Sequence, residues 1–94
     1  MSARRDPAAA IALQLERRAP GVTIAPPRST PWASVTFNGA RHSFSATGDD
    51  AAIDALIEGL DCHEFDMRGH IVADIAVADR APGHCLIEAL TVED

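Results

Sequence analysis

The dipeptide Asn38-Gly39 stands between two alternating runs, Ala33 to Phe37 and Ala40 to Ala46. Asn-Gly is the preferred pair for a type I′ turn, whose twist suits two antiparallel strands joined by two residues. A loop of that length leaves one register: Phe37 opposite Ala40, Val35 opposite His42, and Ala33 opposite Phe44. One face of the expected hairpin then carries Ala33, Val35, Phe37, Ala40, His42, Phe44 and Ala46. The other face, with Ser34, Thr36, Arg41, Ser43 and Ser45, is polar throughout. Such a hairpin needs a second layer over its apolar side.

Two amphipathic segments can supply that layer. Asp6-Pro7 suits a helix start, because Asp accepts from orphan amides and Pro fits the first helical position. Ala8 to Arg18 follows with helix-forming residues and a thin stripe of Ile11 and Leu15, ended by Ala19-Pro20-Gly21. Thr47-Gly48-Asp49-Asp50 opens a second helix with acids where the dipole favours them. Ile53, Leu56, Ile57 and Leu60 recur at helical spacing over about three turns. Between helix and hairpin, residues 19–32 hold four of the six prolines and read as an extended connector, with Val22-Thr23-Ile24 an edge strand at most.

After a connector over residues 61–69, His70 to Ala78 and His84 to Val92 read as strands joined by the turn-forming loop Asp79 to Gly83. The order is αββαββ. Its simplest packing is an α+β domain: a four-stranded antiparallel sheet with two helices on one face. A right-handed passage places the last strand between strands 70–78 and 40–46, an order that fits a ferredoxin-like sandwich or a circularly permuted form of one. That is geometry at the level of the fold, with no motif behind it. Residues 1–94 form one domain, with residues 1–5 a flexible tail.

Glu88 decides the parity of the second hairpin. If Ile71, Ala73, Ile75 and Val77 shared their face with Leu86, Glu88 and Leu90, a carboxylate would lie unpaired in the helix-covered core, at a cost of several kcal/mol. Pairing that set with Cys85, Ile87, Ala89 and Thr91 turns Asp74 and Glu88 outward instead. The open face then holds Val72, Ala76, Leu86, Leu90 and Val92 beside Asp74, Glu88 and Arg41, more aliphatic surface than a small monomer leaves in water. A second copy of the chain, the N-terminal segment or a ligand would cover it, and closed two-fold pairing is the commonest form of oligomer.

Charge narrows the partners. The net charge is −6, which excludes the basic face of a sequence-independent nucleic-acid binder. No apolar run reaches the ~20 residues of a bilayer span, and the N-terminal segment lacks a secretory cleavage pattern. Residues 1–47 set six arginines against Asp6 and Glu16, a balance of +4. Residues 48–94 set Arg68 and Arg80 against twelve carboxylates, a balance of −10. Halves of opposite sign suggest that they face each other, within one chain or across a dimer. Eight arginines with no lysine, beside eighteen alanines, read as GC-rich codon usage and point to a bacterial, cytoplasmic protein.

Candidate chemistry is sparse. Cys62-His63 and His84-Cys85 resemble four zinc ligands, but a crossing strand of nine residues separates them by roughly 30 Å, which leaves two reduced cysteines. One pole of the sheet would gather His42, His63 and His70 with Glu64, Asp66 and Glu93, a donor set suited to a divalent transition metal or to acid–base work. His42, on the apolar face, reads either as a neutral hydrogen-bonded residue at the core edge or as a ligand-facing group. Asp74 and Glu88 are carboxylates on adjacent strands, fit for an acid–base pair or for an interface salt-bridged by Arg41. Gly-rich phosphate loops, GxSxG and CxxC are absent, and Ser29-Thr30 has no base near it in sequence. The expectation is a small binding or interaction domain, homodimeric through its open sheet face, with Arg41, His42, Asp74, Leu86, Glu88 and Leu90 as ligand or interface residues. The alternative is a small cofactor-independent or metal-dependent enzyme, and no particular cofactor is indicated.

Overall fold

The structure, a computed structural model, describes residues 6–93; the tail expected over residues 1–5 lies outside them. Asp6 accepts from the Ala8 amide at 3.0 Å and caps α1 (Pro7–Arg18), which buries Ala8, Ile11 and Leu15. Asp49 does the same for α2 (Asp50–Ile57), accepting from the Ala52 amide at 2.8 Å. This second helix is shorter than its apolar spacing implies. Gly59 takes a left-handed φ of 68° and starts a 3-10 turn (Leu60–Cys62), so Leu60 reaches the core from outside the helix.

The described residues form an α+β fold of two α-helices and an antiparallel sheet of five strands: β1 (Thr23–Ile24), β2 (Arg28–Ala33), β3 (Asn38–Thr47), β4 (His70–Ala81) and β5 (His84–Glu93). The order runs β1-β3-β5-β4, and β2 also pairs with β3, alongside β1 on the same edge. The expected four strands become five because the Pro-rich connector contributes two edge segments while the strand expected over Ala33 to Phe37 gives way to a loop. Prolines are tolerated there, since an edge strand needs only one side of its ladder.

The first hairpin turns elsewhere than at Asn38-Gly39. Its loop is residues 34–37, where the Ser34 amide donates to the Phe37 carbonyl at 2.7 Å and the Phe37 amide donates to Ser34 Oγ at 3.1 Å. Asn38 pairs with Ala33 and Gly39 with Trp32, inside the ladder. Gly39 serves close approach instead of a turn: a Cβ there would lie 2.0 Å from the Thr91 carbonyl oxygen. Ala33, Val35 and Phe37 therefore leave the expected apolar face, and Phe37 is 55% exposed at the loop. The β3 alternation itself holds, with His42, Phe44 and Ala46 buried.

On β5, Cys85, Ile87, Ala89 and Thr91 are buried and Glu88 is exposed, the parity that the cost of a buried carboxylate favours. β4 is less regular. Bulges at Ala73 and Ala78 break its two-residue period. Ile71, expected under the helices, pairs with Val92 on the open side and is 54% exposed. Val72 pairs with Thr91 and packs against the core instead.

Both helices cover one side of the sheet around Phe44, Ile53, Leu56, Ile11, Leu15 and Ile87. Arg18 ties them together. Its Nε donates to the Leu56 carbonyl at 3.0 Å and Nη2 donates to the Glu58 carbonyl, meeting the free acceptors that end α2. Arg80 of β4 bonds Asp50 and Asp54 at 3.2 and 3.1 Å, which clips the start of α2 to the second hairpin.

Candidate functional site

Among the described residues nothing covers the side of the sheet opposite the helices, and the register arranges that side in rows. Trp32, Gly39, Val92 and Ile71 form the row nearest the first hairpin loop. Thr30, Arg41, Leu90 and Asp74 form the next. Arg28, Ser43, Glu88 and Ala76 follow, and then Ser45, Leu86 and Asp79. Columns divide by sign: Arg28 and Arg41 stand on β2 and β3, while Glu88, Asp74 and Asp79 stand on β5 and β4. Leu86, Leu90 and Val92 are half-buried along β5, one of the two middle strands.

A groove of about 490 Å³ follows this boundary, lined in part by Arg28, Arg41, Asp74, Glu88 and Leu90. Five of the six residues expected from sequence to bind a ligand or partner, Arg41, His42, Asp74, Glu88 and Leu90, line this one groove, and Leu86 lies one row further. Among the described residues no ion pair joins either arginine to Asp74 or Glu88. Asp74 sits opposite Leu90 and Glu88 opposite Ala76, so the two carboxylates are diagonal neighbours and not a facing pair. Trp32 lies across Gly39, and its Nε1 is shielded without a hydrogen-bond partner among the described residues.

The His42 ring points to the helix side. It is 3% exposed, and both ring nitrogens are engaged: Nδ1 lies 2.7 Å from Ser29 Oγ and Nε2 lies 2.8 Å from Thr91 Oγ1. Burial lowers its pKa, Asp6 acts in the raising direction and His70 in the lowering one. Sequence reasoning missed Ser29 as its partner. The Asn-Gly register set Val35 opposite His42, whereas the observed turn sets Ser29 there.

His42, His63 and His70 are the residues at which the sequence leads one to expect a metal. Among the described residues, no group of three or more His, Cys, Asp and Glu side chains is placed to hold an ion. His63 Nδ1 faces the Arg18 guanidinium at 3.2 Å, and its ring packs edge-on against Phe65. His70 pairs across the ladder with Glu93. The connector before β4 is held to α1 by Gln14, which donates to the Asp66 carbonyl and accepts from its amide. Cys62 is exposed and Cys85 buried, both free, and burial raises the Cys85 thiol pKa. Set against protein-family models, curated proteins and solved structures, the chain matches none of them.

Proposed function

We propose that the chain is a self-associating interaction module that docks the uncovered sheet face of one copy on the same face of another. The observation that carries this reading is the division of that face into a basic half on β2 and β3 and an acidic half on β5 and β4, with leucines beside Glu88 on the middle strand β5. A two-fold axis along the strands, midway between β3 and β5, exchanges the halves. It brings Arg41 of each copy beside the partner's Asp74, and Leu90 against the arginine stem that crosses it. An axis across the strands would stack arginine on arginine, so the charges select the first arrangement. Face-to-face sheets pack about 10 Å apart, a gap that arginine and leucine side chains fill.

The strand order, with both helices in one layer, supports a circularly permuted ferredoxin-like architecture for the module. Two unpaired cysteines support a reducing, cytoplasmic setting. No helix among the described residues is long and apolar enough to cross a membrane.

Charge exchange tests the arrangement. Arg41→Glu alone and Asp74→Arg alone should each give monomers by sedimentation equilibrium, because each places like charges together. An equimolar mixture should recover dimers, since both crossed contacts are then between opposite charges. A monomeric wild-type chain, or single variants that dimerise as well as wild type, would overturn the proposal.

A further inference from the structure

We propose that Ser29 is a nucleophile activated by His42 as general base, and that it takes up an acyl or phosphonyl group from a small activated ester or fluorophosphonate. The inference is independent of self-association, because the Ser29–His42 contact is on the helix side of the sheet. A serine hydroxyl attacks poorly at neutral pH unless a base within hydrogen-bond reach accepts its proton, and that base works best when a third group orients it. All three parts are present. Ser29 Oγ is 2.7 Å from His42 Nδ1, and His42 Nε2 is 2.8 Å from Thr91 Oγ1.

The proposal requires one tautomer of His42. With the Thr91 hydroxyl turned toward the Ala40 carbonyl, 3.4 Å away, Thr91 Oγ1 accepts from Nε2–H and the Nδ1 lone pair faces Ser29. Burial, which lowers the His42 pKa, keeps this imidazole the free base at neutral pH. Access is asymmetric in a useful way. Ser29 is exposed on the edge strand β2, while His42 beneath it is buried, so a reagent meets the hydroxyl and not the base.

In the reaction, Ser29 Oγ bonds to the carbonyl carbon as the C–O bond to the leaving group breaks. The serine proton passes to His42 Nδ1 and then to the departing oxygen, which restores the neutral imidazole. With a fluorophosphonate, the new bond is to phosphorus and fluoride leaves with that proton. Because Ser29 lies at an open sheet edge, the site suits small, reactive donors.

The molecule carries its own comparison. Ser45 Oγ lies 2.8 Å from His84 Nε2, but His84 Nδ1 meets no partner among the described residues and its ring is only half-buried. Treating the whole protein with an alkyl fluorophosphonate and locating adducts by peptide mass spectrometry separates the two pairs. Ser29 should label on the order of 100-fold faster than Ser34 or Ser45, the low end of general-base assistance. Ser29→Ala should remove that adduct. Thr91→Val should slow labelling at Ser29, and Thr91→Ser should restore it, which identifies Thr91 as a positioning residue. The rate should rise with pH through a midpoint below the 6.5 of an ordinary histidine, with Asp6 and His70 the charged groups acting on it. Labelling of Ser29 no faster than of Ser34 or Ser45 would overturn the proposal.

Discussion

His42 Nε2 and Thr91 Oγ1 meet at 2.8 Å between two neighbouring strands, inside the face that the helices cover. Replacing Thr91 with Val keeps the shape and removes the acceptor, leaving a buried imidazole N–H unpaired at a cost of about 1–3 kcal/mol. Urea unfolding at pH 7.5 should show that loss for Thr91→Val, and Thr91→Ser should recover most of it. The pH response has a definite sign. The folded-state pKa of His42 lies below its unfolded value near 6.5, so the unfolded chain binds more protons as pH falls through 6.5. Wild-type stability should therefore decline between pH 7 and pH 5. His42→Gln should flatten that part of the curve, and an equally steep decline in the variant would count against the assignment.

Gly39 and Asn38 allow the two views of the first hairpin to be separated by experiment. If they formed the turn, both would matter. In the observed ladder only Gly39 does, because a Cβ at 39 would strike the Thr91 carbonyl at 2.0 Å. Gly39→Ala should cost about 3 kcal/mol or more, as an overpacked site that must move backbone. Asn38→Ala should leave the thermal midpoint close to wild type. Equal destabilisation by the two substitutions would favour a turn at 38–39.

The same pair shows which parts of the fold were legible in the sequence. β3 and β5 could be read because their alternation is long and one choice of parity would bury Glu88. Asn38-Gly39 misled because glycine is required both where a chain turns and where two strands approach closely, and composition does not distinguish the uses. Ser34, whose hydroxyl bonds within its own loop, supplied the competing turn. The bulges at Ala73 and Ala78 follow from fitting β4 beside β5, so local pattern carried no sign of them. The charged open face was legible once parity was settled, whereas the Ser29–His42 contact depends on the register that Asn-Gly concealed.

Arg18 closes α2 from a neighbouring helix, and this makes it a test of how the layer is held. Its guanidinium serves the carbonyls of Leu56 and Glu58 and faces His63 Nδ1. Bonds from a charged donor to otherwise free carbonyls are worth about 1.5–3 kcal/mol. Arg18→Met should retain the packing of the stem, lose that amount in chemical denaturation, and speed amide exchange at Glu58 and His63. Lysine has no planar fork and should recover only part of it. An Arg18→Met variant with wild-type exchange at α2's end would show that the turn after the helix holds itself.

Salt separates the two forces proposed for self-association. Raising ionic strength from 0.1 M to 1 M shortens the screening length from about 10 Å to about 3 Å. Contacts from Arg28 and Arg41 to the partner's carboxylates should weaken over that range, while burial of leucine should not. The wild-type dimer dissociation constant should accordingly rise with salt. Arg41→Gln should raise it at low salt and flatten its salt dependence, because one crossed attraction per half of the interface is gone. Leu90→Ala should raise it by a similar factor at both salt levels, since Leu90 itself contributes burial and no charge. A salt response that Arg41→Gln leaves untouched would place the attraction on other charges and remove the argument for an axis along the strands.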